Sequence, residues 1–296
     1  MGEARTSDLV DSVWEHQSVW SQTANLLKAR IDRLRSVMLG LGVASAVLTT
    51  LGTQVASISS EVGKALALSA GVAVGLVPLV RARLGRDAVS RWTRARAVAE
   101  ELKAEVYPFL AGVAPFRGAD RAAVLADRTH RVQDDAADLL VHTAGVDAKP
   151  RELPAVHDVD SYVEIRIVPQ IRWYHDRAQG LARRLRVARQ VEVGFSVLGV
   201  VLAAVAATLE ATAAAAWVAV VTTVTAAVSS HAAASRWEYQ LVEYLRTAGE
   251  LGRLRDGWIG AVSRDDASAD RLVDRCELVV STQNDGWMAK WTADQR

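Results

Sequence analysis

The sequence predicts an all-α polytopic membrane protein. Its four transmembrane helices form two duplicated two-span hairpins, and long helices extend into a cytoplasmic stalk. Three observations predict this. Half of the 296 residues are apolar although only 6% are aromatic, so the apolar mass is mostly Ala, Val and Leu. That mass is gathered into four stretches almost free of charge, while Arg, Asp and Glu crowd the rest, as expected when hydrocarbon solvates part of a chain. The segments flanking the first pair of stretches also recur around the second. A soluble bundle would carry a polar stripe on each helix, and 37–53 and 213–228 have no charged face.

The first unit, 1–116, opens on a polar, mixed-charge segment without the basic start and apolar core of a cleaved leader. Its helix should run unbroken from about 7 to 57 and enter the membrane as the first span, 37–59. The second span, 63–81, is bounded by Lys64 and Arg81, and Lys64 can snorkel outward to lengthen it. A middle segment, 117–157, reads as a polar helix over 119–144 followed by a linker with Pro150 and Pro154. The second unit, 158–260, starts at an N-cap, Asp158 or Asp160, and Pro169 should kink its entering helix. Its spans are 191–210 and 212–230, with Trp217 as an interface anchor. The tail, 261–296, is an amphipathic helix over 265–281 with a stop at Asn284, Asp285 and Gly286 before Trp287.

The duplication is read from one constant offset. Trp20, Ala24, Asn25, Arg30, Arg35 and Gly40 correspond to Tyr174, Ala178, Gln179, Arg184, Arg189 and Gly194. Behind the hairpins, Ser90, Arg91 and Trp92 mirror Ser235, Arg236 and Trp237. Two spans per unit keep both copies in one orientation. Basic residues cluster before and after the first hairpin and before the second, at Lys28, Arg30, Arg33, Arg35, Arg81, Arg83, Arg86, Arg91, Arg177, Arg183, Arg184, Arg186 and Arg189, while after the fourth span Arg236 stands alone. The positive-inside rule therefore places both termini and the middle segment in the cytoplasm. The expected location is a bacterial inner membrane, and a preference for Arg over Lys fits a GC-rich bacterial genome. Trp14, Trp20, Trp92, Trp173 and Trp237 should fill the core of the stalk.

Composition excludes several function classes. The net charge of +1 provides no basic field for nucleic acid. The single cysteine, Cys276, rules out an intramolecular disulfide framework and a Cys-based zinc site. No phosphate-cradling Gly loop or nucleophile elbow is present. The six histidines are scattered, and His157 beside Asp158 and Asp160 reads as solvated capping. No cofactor, no metal and no enzyme activity are expected. The spans hold no central carboxylate or histidine, which disfavours an ion-coupled carrier.

Two patterns in the spans invite function. Ser45, Thr49, Thr53 and Ser57 recur every fourth residue on the first span, and Thr222, Thr225 and Ser229 form a similar stripe on the fourth. Such hydroxyls can line a pore and replace part of an ion's hydration shell. They can equally glue helices together or bond back to their own carbonyls. Ala67, Gly71 and Gly75 form a small-residue row on the second span, read as a helix-packing face. Four thin helices pack closed, so a pore requires several copies around an axis. Glu61 and Glu210 would then stand at its outer mouth, unless they are plain solvated charges.

The stretch 162–178, with Tyr162, Arg166, Pro169, Trp173, Tyr174 and Arg177, precedes a basic helix and a two-span hairpin. With the amphipathic tail ending near Trp287, it resembles the SLATT superfamily, the SMODS and SLOG-associating two-transmembrane effector domains, and within it DUF4231. The second half carries the pattern best, and the first looks like a diverged copy. The resemblance implies a membrane effector of a bacterial conflict system that forms pores or perturbs the membrane when a nucleotide-signalling partner is triggered. No nucleotide-sensing domain is fused here. The implied partners are thus the lipid bilayer, further copies of the chain, and either a separate nucleotide-signalling protein or a diffusible nucleotide ligand. The leading expectation is an oligomeric ion-conducting protein. The alternative is a non-conducting membrane scaffold whose stalk binds partner proteins.

Overall fold

The computed structural model describes residues 2–85, 87–209, 212–234 and 236–293, with side chains described outside 2–5, 209, 212–213, 230–234 and 283–293. Among the described residues every regular element is helical. In order these are α1 (Gly2–Val55), α2 (Ser60–Leu84), α3 (Ala88–Ala111), α4 (Arg121–Asp134), a 3₁₀ turn (Ala137–His142), α5 (Val159–Tyr162), a π-helical segment (Val163–Ile167), α6 (Val168–Leu209), α7 (Thr212–Ala234), α8 (Trp237–Ile259) and α9 (Asp266–Ala293).

Compaction does not follow the duplication. One unit gathers 1–29, 86–177 and 243–296, and the other gathers 30–85 and 178–242. The amphipathic ends of the long helices have apolar stripes to bury against one another. The uncharged middles do not, and both hairpins fall in the second unit.

The hairpin unit meets the requirements of hydrocarbon. Helical stretches within Thr6–Val55, Ser60–Ala111 and Val159–Thr208 are long and apolar enough to cross a membrane, and their apolar windows are only 6%, 11% and 0% buried. Surfaces of that size left uncovered need a non-aqueous neighbour. The fourth apolar run, described over Ala214–Ser229 of α7, is shorter. The turn 56–59 joins α1 to α2, and the two run antiparallel. Gly63 lets the backbones approach so closely that a Cβ there would sit 2.7 Å from Ala56 Cα, and one at Gly52 would lie 3.2 Å from the Gly63 carbonyl oxygen. Gly63, Ala70 and Ala73 form the buried stripe of α2.

Trp14, Trp20, Val98, Ala99, Leu102, Val106, Tyr162, Ile167, Tyr174, Leu251 and Val273 build the core of the first unit. Two expectations are corrected here. Trp173 is 37% exposed, outside the core that Trp14, Trp20 and Trp92 join. It packs edge-on to Tyr174 and Tyr244 at 5.1 and 5.7 Å. At Pro169, the expected site of a kink, the irregularity that is seen is the π-helical segment Val163–Ile167 just before it, next to a residue that lacks an N–H for its turn. α9 continues past Gly286 to Ala293, because glycine weakens a helix by about 1 kcal/mol without ending it.

Candidate functional site

Every hydroxyl donor of the predicted stripes is engaged. Ser45 Oγ reaches across the hairpin to the Ala70 carbonyl at 3.0 Å. Thr49 donates to Ser45 O (2.8 Å), Thr53 to Thr50 O (2.8 Å) and Ser57 to Gln54 O (2.7 Å). On α7, Thr222 bonds to Val218 O (2.9 Å) and Thr225 to Val221 O (2.8 Å). Ser229 donates to the Glu192 carboxylate on α6. The stripes thus divide between cross-helix ties and bonds along their own helix. A hydroxyl that donates to its own helix still turns oxygen lone pairs outward, and Thr49, Thr53, Ser57 and Thr222 are exposed in the single chain.

Of the row Ala67, Gly71 and Gly75, only Ala67 borders the close approach between α1 and α2, its backbone N lying 3.3 Å from where a Cβ on Gly52 would sit. All three are exposed, and a Cβ on Gly71 or Gly75 would meet nothing within 4 Å. The tight face belongs to Gly63, Ala70 and Ala73, and Gly71 and Gly75 turn away from it. Glu61 is exposed and paired with Lys64 at 2.9 Å. Glu210 lies outside the described residues.

Sequence reasoning missed a buried charge core in the first unit. Arg166, in the π-helical segment, lies 3% exposed and grips Glu277 of α9 with both edges of its fork, Nε to Oε1 at 3.1 Å and Nη2 to Oε2 at 3.0 Å. Tyr162 donates its hydroxyl to the same Oε1 at 2.8 Å. The guanidinium lies over the ring of Tyr107 at 4.7 Å. Tyr107 stands edge-on to Tyr162 and Trp14 at 6.3 and 6.1 Å. Beyond Trp14 the linker closes over α1. Arg151 stacks on its ring at 3.9 Å, and its indole N–H donates to Glu152 O at 3.0 Å.

Two turns of α3 complete the core. Glu100 is buried, 2.6 Å from Arg96 and 3.7 Å from Lys103. Burial raises the Glu100 pKa, but Lys103, Arg96 and Arg166 outweigh it and hold the carboxyl below its ordinary value. Burial pulls Lys103 down to about 8, with Glu100 opposing. Burial also works against charge on Arg166, yet Glu277 more than offsets it. The core therefore holds three cations and two carboxylates while Lys103 is protonated, and it balances when that proton leaves. Burial, then the neighbouring Glu277 charge, push the Cys276 thiol up to about 12, so it is inert while covered.

The missed residues had left a signal. Tyr162, Arg166, Tyr174 and Ala178 fall on one face at helical spacing, as do Val273, Cys276, Glu277 and Val280. A charge on an otherwise apolar stripe must find a buried partner. Of His157, Asp158 and Asp160, expected to cap, Asp158 does so with its side chain and Asp160 is turned to a tertiary contact. Asp158 forms a reciprocal box with Ser161, its Oδ1 accepting from the Ser161 N–H at 2.7 Å. Asp160 accepts from the Trp258 indole at 2.8 Å and from Arg264 at 3.0 Å. No cluster of His, Cys, Asp and Glu suited to a metal occurs among the described residues.

Two comparisons with known families bear on these units. Residues 162–287 match the family described as SMODS and SLOG-associating 2TM effector domain 1, and residues 18–123 match the protein family of unknown function DUF4231. No curated protein and no solved structure matches the chain.

Proposed function

From a chain that carries a DUF4231 domain and a SLATT effector domain in tandem, we propose an oligomeric, ion-conducting membrane effector of a bacterial conflict or stress-signalling system. The observation that carries the reading is the outward row of Thr49 and Thr53 on α1 and Ser57 in the turn after it, with Thr222 on α7. Their protons are spent on their own helices and their oxygen lone pairs are left for a cation. Several copies assemble around an axis so that these rows face water, with Glu61 and Glu210 at the outer mouth. Both termini lie in the cytoplasm, and α7 provides the fourth crossing. No catalytic step is part of this role. The charge core is the natural receiver of a signal, because pairing Arg166 with Glu277 ties α9 to the helix that continues into the third span. A separate nucleotide-signalling protein or a diffusible nucleotide supplies the trigger and biases the packing between two states.

Single-channel recording of the purified protein in planar bilayers tests this. Discrete conductance is expected, and Thr49→Leu with Thr53→Leu abolishes it without loss of helicity. Silence under every ligand, voltage and tension applied counts against conduction. It favours a second reading, a non-conducting scaffold whose helical unit binds partner proteins. The cross-helix ties of Ser45 to Ala70 and Ser229 to Glu192 support that reading, since they use hydroxyls as glue.

A further inference from the structure

The charge of the chain is unevenly divided. Although the whole carries a net +1, the hairpin unit holds eleven Arg and Lys residues against five Asp and Glu. Its densest cluster is on α6, where Arg183, Arg184, Arg186 and Arg189 are all exposed and none forms an ion pair with a described residue. At 100° per residue these four spread over roughly 220° of the helix circumference, and the remaining side carries Leu181, Leu185 and Ala188. A protein partner docked on one face would leave the others unmatched. Directly beyond them begins the apolar window of α6, which the chain leaves uncovered. Arg81 and Arg83 at the foot of α2 and Arg33 on α1 are exposed in the same way. Arg30 donates to the Arg83 carbonyl at 3.4 Å, so the two basic ends of the first hairpin lie together.

We propose that this arginine collar binds the headgroups of anionic phospholipids, with a phosphate-rich leaflet as its occupant. A broad arc of forked donors at the edge of a hydrocarbon-facing helix matches a layer of phosphates in charge and in geometry. Each basic residue near an anionic surface strengthens binding by about fivefold. The inference rests on the spans lying in a bilayer and not on conduction, so a failed channel recording leaves it standing.

Native mass spectrometry of the full chain tests it, after release from mixed micelles holding equal amounts of phosphatidylglycerol and phosphatidylcholine. The wild type should retain the anionic lipid in severalfold excess. Replacing Arg183, Arg184, Arg186 and Arg189 together by Gln should bring retention to parity, and the matching Lys variant should keep most of the preference. Raising salt on the wild type provides a readout that needs no variant, since the preference should fade while phosphatidylcholine retention holds. Inorganic phosphate at millimolar concentration should not displace the lipid, and displacement would mean a free-anion site and overturn the proposal. Equal retention of both lipids by the wild type, or an unchanged preference in a helical Gln variant, would also overturn it.

Discussion

Replacing Glu277 by Gln leaves Arg166 charged, buried and without its counterion. Arg166 is 3% exposed and both edges of its fork are committed to that carboxylate, so water cannot substitute without opening the helices. Breaking a buried pair of this kind costs about 3–5 kcal/mol. The chain provides its own reporter, because Cys276 is the only cysteine, is 0% exposed and neighbours Glu277. A thiol-reactive dye added to the detergent-solubilised protein can label Cys276 only when α9 opens. When closing outpaces labelling, the rate tracks the opening free energy. At about 1.4 kcal/mol per tenfold, Glu277→Gln should speed labelling by roughly 10²–10⁴. Arg166→Met should act in the same direction. The double variant Arg166→Met with Glu277→Leu should return close to the wild-type rate, since a well-packed apolar pair replaces the ion pair at little net cost. Wild-type labelling in Glu277→Gln, or a double variant as fast as the product of the singles, would refute the view that the pair is coupled and holds α9 down.

Lys103 faces Glu100, Arg96, Arg166 and Glu277. Its folded pKa of about 8 lies below its ordinary 10.5, so the unfolded chain binds more protons between those values and stability should rise with pH across that window. A shift of that size corresponds to roughly 3 kcal/mol. Lys103→Met should remove the rise in thermal unfolding followed from pH 7.5 to 10.5, and a rise that persists would assign it to another group. Gly63→Ala should lower the melting temperature of the detergent-solubilised protein, because the new methyl meets backbone at Ala56 and overpacking costs about 1–3 kcal/mol. Gly71→Ala, with open space around it, should leave that temperature unchanged.

The sequence by itself determined the solvent of each segment and hence the class of fold. Runs without a polar face need an apolar neighbour on every side, so the hairpins, their basic flanks and the repeat that relates them were legible from composition and spacing. The length of α1 was legible too, since nothing between Gly2 and Val55 breaks a helix. What the tertiary structure alone decided is who meets whom. It joined Arg166 to Glu277 across more than a hundred residues and gave the close approach to Gly63 in place of Gly71. It also exposed Trp173 while burying Trp14. Periodicity places a residue on a face, but pairing depends on which faces converge, and that follows from the packing of three separate chain segments into one unit.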